Sequence, residues 1–191
     1  MPRRREVSDA QIARVARKVF LEQGVHVPVA VIAKELGVSP ATVFVRMGTK
    51  ARLISAALWP PDPAVLAEIE NRKLDDGPID EQLVRIVLGI AEFADVEIPA
   101  TFTLYAAGLR PKATDDFSDA TPWRLRRALA SWLRDAVRAG KLDCDPRMAT
   151  EMLIGTIEAR AMHAFLGKRT FTERETRTFV RSLVASVIGK K

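Results

Sequence analysis

The sequence is short of most residues from which reactive chemistry is built. It has one cysteine, Cys144, and two histidines in 191 residues. A single thiol cannot close an internal disulfide, which fits a reducing, cytoplasmic setting. Two histidines and one cysteine give a structural zinc site too few soft ligands. An enzyme would need a nucleophile–base pair or a metal cluster, and these residues offer neither. No catalytic residue, cofactor or metal is therefore expected. No apolar run approaches the roughly 18 residues that a membrane span requires. The stretch MPRRREVSDAQ has basic residues with no apolar segment behind them, so a secretory signal is not expected. Few stretches alternate with period two, which argues against strands.

What is present is apolar material and unevenly placed charge. Apolar residues make up 48% of the chain, ample for a packed core. The net charge is +6, and residues 1–60 hold all of it, with ten Lys/Arg against four Asp/Glu. Beyond residue 60 the two signs balance. A basic first third on a neutral body suits a polyanion partner for that third alone. A soluble surface that happens to be basic gives the same count, and charge does not separate the two.

Helix patterns run nearly end to end. Ser8 and Gln11 form a capping box, and Ile12, Val15, Ala16, Val19 and Phe20 follow on one face. Gly24 stops that helix. A second starts near Pro28 and ends at Leu36-Gly37. Ser39 caps a third, with Pro40 in its first turn, and Gly48 ends it. Lys50 to Leu58 makes a fourth, halted by Pro60-Pro61. Further helices are expected over 63–74, 79–95, 99–109, 122–139, 146–166 and 172–188, with Arg110 to Thr121 as a loop. The helix from Ile79 has a narrow polar stripe and should be buried on most sides.

Three short helices, a glycine turn between the second and third, and a basic excess describe a helix-turn-helix. The third helix, Ser39 to Met47, would then lie in a DNA major groove. Ser39 can hold a backbone amide or face a phosphate. Pro40 and Ala41 open the helix, and Ala41 is small enough to let the backbone approach the bases. Thr42 can donate to phosphate or touch a thymine methyl, and Arg46 can bond guanine or phosphate. Lys50 would reach the DNA backbone.

This segment resembles the TetR family of transcriptional regulators. The resemblance rests on Phe20, Gly24, Ile32-Ala33, Gly37-Val38-Ser39, Thr42, Phe44, Thr49-Lys50 and Leu53, in order and spacing over about a quarter of the chain. Phe44 stands where the family usually has tyrosine. Val45, Arg46 and Met47 also depart from its common residues. The resemblance implies DNA contacts from Ser39, Pro40, Ala41, Thr42, Phe44, Val45, Arg46, Thr49 and Lys50. In some relatives an arm like Arg3-Arg4-Arg5 enters the minor groove; a solubilising tail is the alternative.

It also implies a C-terminal domain that binds a small molecule and dimerises through its last two helices. The candidate interface is Met152, Gly155 and Ala159 with Phe179, Val180, Leu183, Val184 and Val187. Both stripes could instead face the protein's own core. Phe93, Phe102, Tyr105, Leu109, Phe117, Trp123, Met152 and Met162 are candidates to line an apolar pocket, though each could be plain core. Glu158 either meets a cationic ligand or pairs with an arginine. Arg124, Arg126, Arg127, Arg134 and Arg138 read as a solvated face. Asp143 and Asp145 beside Cys144 would raise its pKa, which argues against a redox sensor there.

The expectation is an all-α protein of about nine to ten helices: a helix-turn-helix domain over 1–58 and a ligand-binding and dimerisation domain over 59–191. It would be a cytoplasmic homodimeric repressor on operator DNA, with no membrane, released by a small apolar effector. The rival within the same fold has no ligand and is controlled by a partner protein or by abundance.

Overall fold

Local capping signals set most of the boundaries. The computed structural model describes residues 7–59, 62–71, 74, 76–109 and 120–188. Among these it has nine α-helices and no strand: α1 (Asp9–Gln23), α2 (Val29–Leu36), α3 (Pro40–Met47), α4 (Lys50–Leu58), α5 (Ala64–Asn71), α6 (Ile79–Ala106), α7 (Thr121–Arg138), α8 (Pro146–Leu166) and α9 (Glu173–Ile188). The Ser8 capping box forms as expected. Its hydroxyl accepts from the Gln11 N–H at 3.2 Å, and the Gln11 side chain accepts from the Ser8 N–H at 2.9 Å. Pro28 stands one residue before α2, at its N-cap. The chain separates into two compact units, one from residues 1–61 with 99–112 and the other from 62–98 with 113–191.

In the first unit α1 buries Ile12, Ala16, Val19 and Phe20 on the face its sequence spacing assigns. Ile32 and Ala33 of α2, Val43 and Met47 of α3, and Leu53 and Leu58 of α4 complete this core. The Arg17 guanidinium donates to the Ala57 carbonyl at 3.1 Å and ties α1 to the end of α4.

Two expected helices over 79–95 and 99–109 are one. α6 runs for 28 residues with Pro99 inside it. Proline removes one ladder hydrogen bond and crowds the preceding turn, at about 3 kcal/mol or more in a helix interior. Apolar burial on both sides of it offsets that cost. Before Pro99, Leu83, Val87, Ile90 and Ala94 enter the second core. After it, Ala100 is buried in the first core, with Leu104 and Ala107 packed against it. The N-terminal unit thus includes a segment far beyond residue 58.

The second unit is built on α6, α7, α8 and α9, with α5 alongside. α7 contributes Leu125, Leu129, Trp132, Leu133 and Ala136, one strongly amphipathic face. Gly89 is where α5 meets α6: a Cβ there would lie 2.7 Å from the Val65 Cβ. The arginines of α7 do not form one solvated face. Arg124 binds Asp62 at 2.5 Å and Glu70 at 3.1 Å. Arg126 is half-buried and binds Glu158 at 2.6 Å, so Glu158 takes the arginine-paired reading. Burial pushes the Cys144 thiol up from its ordinary pKa, and Asp143 and Asp145 add to the rise. No described helix is long and apolar enough to cross a membrane. Among the described residues no group of three His, Cys, Asp or Glu could hold a metal.

Candidate nucleic-acid interface

The turn between α2 and α3 is set by Gly37, whose φ of 68° and ψ of 33° lie in the left-handed region. Its N–H reaches the Ala33 and Lys34 carbonyls, and the Val38 N–H reaches the Ala33 carbonyl at 3.0 Å. These bonds close the C-terminus of α2 and redirect the chain into α3. Ser39 then caps α3, its hydroxyl accepting from the Thr42 N–H at 3.1 Å. The Ser39 and Thr42 hydroxyls share a further bond of 2.9 Å. Ser39 therefore holds a backbone amide at the start of α3.

α3 has two unlike faces. Val43 and Met47 are buried, which fixes the helix on the core of its unit. Pro40, Ala41, Phe44, Val45 and Arg46 face outward, and Val45 is 84% exposed. A β-branched apolar side chain standing in water on a short helix gains nothing from the fold. It is suited to a surface brought up from outside, such as a thymine methyl. Thr49 caps α4, accepting from the Arg52 N–H at 3.2 Å, and Lys50 follows at the first position of that helix. The helix-turn-helix residues are thus assembled on one unit. Arg3, Arg4 and Arg5 lie outside the described residues.

One partner in this region was not legible in the sequence. The Arg46 Nε donates to an Asp9 carboxylate oxygen at 2.7 Å, joining α3 to the first turn of α1 across 37 residues. Both side chains remain exposed.

Comparison with known proteins decides what carries this motif. The family profile for the AefR-like transcriptional repressor C-terminal domain matches residues 82–188, more than half of the chain. That for the bacterial regulatory proteins of the tetR family matches residues 12–57. The chain belongs to the TetR family. Similar solved structures include the fatty acid degradation regulator FadR of Bacillus halodurans, at 18% identity over 98% of this chain and 97% of that one, with a TM-score of 0.67. A TetR-like regulator of Rhodococcus sp. RHA1 matches over all of both chains at 20% identity and a TM-score of 0.64. FadR of Bacillus subtilis, in complex with stearoyl-CoA, matches at 17% identity over 95% and 98%, with a TM-score of 0.63. At such identities these likenesses show the fold. No curated protein sequence matches significantly. As a member of the TetR family, the protein is a DNA-binding transcriptional regulator and not an enzyme.

The residues expected at a TetR-type interface divide. Val180 and Val184 of α9 are fully buried in the protomer's own core and offer a partner no surface. Phe179, Leu183 and Val187 are half-buried and pack against the same core. α8 differs. Met148, Met152, Gly155, Ala159, Met162 and Leu166 recur at alternating steps of four and three, with Met148, Met152 and Leu166 exposed. That is the spacing of a coiled-coil seam. Met148 and Leu166 were missed in the sequence, although this spacing was there to be read.

The pocket candidates are scattered. Phe93 is buried in the second core. Phe102, Tyr105 and Leu109 follow Pro99 in the first unit and are exposed. Trp123 and Met152 are exposed, Met162 is half-buried, and Phe117 lies outside the described residues. Two clefts of about 420 Å³ in the second unit are lined by other residues: one by Ile69, Leu74, Arg124 and Trp132, the other by Ile79, Val84, Leu142 and Ile188.

Proposed function

We propose that the protein is a homodimeric repressor whose hold on operator DNA is released when a small apolar molecule binds its C-terminal domain. The observation that carries the DNA half is the outward face of α3, with Val45 in water beside Arg46. Such a helix reads one half-site. Two copies related by a two-fold axis would read an inverted pair about one DNA turn apart, roughly 34–36 Å. The α8 seam supports the dimer: an apolar stripe exposed on a lone protomer is covered when a second copy packs against it. An effector that changes the separation of the two recognition helices then breaks their match to the two grooves.

The apolar character of the effector is supported by two similar structures, one a fatty acid degradation regulator by name and the other a regulator with stearoyl-CoA bound. The experiment is a thermal shift series with fatty acids and acyl-CoAs of increasing chain length, paired with operator binding. A ligand that binds only the folded state raises stability by about 2.7 kcal/mol at a hundred times its dissociation constant. A compound that both raises the melting temperature and releases DNA supports the reading. If no apolar compound does either, control rests on a partner protein or on abundance.

A further inference from the structure

We propose that Asp9 is a positioning residue for DNA recognition, holding the Arg46 guanidinium so that its two terminal nitrogens read a guanine. The proposal rests on the DNA-binding reading of α3 and adds a residue from another helix to it. The Arg46 Nε is taken up by the Asp9 carboxylate at 2.7 Å. Among the described residues its two terminal nitrogens have no hydrogen-bond partner. An arginine fixed at Nε presents those nitrogens as a planar fork, the shape that matches the O6 and N7 acceptors on the major-groove edge of guanine. The helices that carry the two side chains are fixed to each other, because α1 and α3 share one core through Ile12, Ala16, Val43 and Met47.

Charge separates this role from a phosphate anchor. A phosphate contact draws its affinity from net positive charge and the counterions that charge releases. The Asp9–Arg46 pair is neutral overall, so it adds little to phosphate attraction. Its directional hydrogen-bond donors remain. An exposed ion pair also adds little to folding, so the bond has little to do for the fold alone. What it does is remove rotational freedom from a long side chain at the rim of the recognition helix, before DNA arrives. Lys50, with no such partner among the described residues, keeps its charge for the backbone.

The test uses the full-length protein and the operator it selects from a random DNA pool. Binding is measured against single-base variants of that operator and across a range of salt. Thermal denaturation confirms that each variant is folded. Discrimination at one guanine per half-site should be between about 5-fold and about 150-fold in the wild type, the worth of one bidentate pair. Asp9→Ala should cut that discrimination by about two- to fivefold at each half-site, the range of an exposed ion pair, while making the salt dependence steeper by about one per protomer. Asp9→Ala with Arg46→Ala removes a neutral pair. It should abolish the discrimination and leave the salt slope at the wild-type value. The proposal is overturned if Asp9→Ala discriminates as the wild type does. It is also overturned if the double variant lowers the slope by about one per protomer and weakens every sequence equally, which would make Arg46 a phosphate anchor. A wild-type protein that selects no sequence would instead overturn the DNA reading beneath it.

Discussion

Replacing Met152 with glutamate tests the α8 seam with least harm to the protomer. Met152 keeps 45% of its surface exposed in the single chain, so about half of its burial is left for a partner to complete. Full burial of such a side chain is worth about 1.5–3 kcal/mol, and the remaining half about 1 kcal/mol. A two-fold interface uses each residue twice. Met152→Ala should therefore cost the dimer about 2 kcal/mol, or roughly 30-fold in its dissociation constant. Met152→Glu goes further, since it places two unpaired carboxylates against apolar neighbours at several kcal/mol. Leu183→Glu is the poorer test, because Leu183 packs against the protomer's own core and its loss would strike the fold as well. Sedimentation equilibrium reads the outcome, with circular dichroism to show that the helices persist. Met152→Glu should be a helical monomer at concentrations where the wild type is a dimer. A Met152→Glu protein as dimeric as the wild type would refute the α8 seam as the interface.

Gly89→Ala should destabilise the second unit, because the new Cβ would lie 2.7 Å from the Val65 Cβ. Overpacking of about 1–3 kcal/mol is set against about 1 kcal/mol of helix propensity, leaving a net loss of up to about 2 kcal/mol in chemical denaturation. A stabilised variant would contradict the close approach of α5 and α6. Lys50→Ala should weaken binding to all DNA sequences alike and lower the salt slope by about one per protomer, as loss of one phosphate contact in each half-site does. A loss confined to one operator position would show a base contact instead. Deleting residues 2–5 should weaken operator binding with no change in melting temperature, if Arg3, Arg4 and Arg5 enter a minor groove. Unchanged affinity at low salt would leave the arm no part in DNA binding.

The N-terminal motif was legible because its signals are local. Ser8 with Gln11, Gly37 before Ser39, and Thr49 before Lys50 each fix a helix end through bonds spanning a few residues. The passage of α6 through Pro99 was not, since a proline is a local stop signal and only distant burial of Ala100 overrides it. On α9, Val180 and Val184 share a helix face with their neighbours Phe179 and Leu183. Which of these adjacent stripes turns fully inward depends on where α8 lies, and periodicity alone does not carry that. On α8 the small residues Gly155 and Ala159 mark only the centre of the seam, while its ends, Met148 and Leu166, are distinguished by exposure, which the sequence does not display. The Asp9–Arg46 bond spans two helices and leaves no trace in spacing. The effector site stayed illegible for a different reason: apolar residues that line a pocket and apolar residues that fill a core are the same residues.

Selection of bound DNA from a random pool by the purified protein tests the central claim most directly. A dimeric regulator that reads DNA through α3 should enrich two inverted half-sites about one helical turn apart, roughly 10–10.5 base pairs centre to centre or a multiple of it. Each half-site should contain a guanine whose preference is lost in Arg46→Ala. Enrichment of no sequence, or of a single half-site without its inverted mate, would contradict the account.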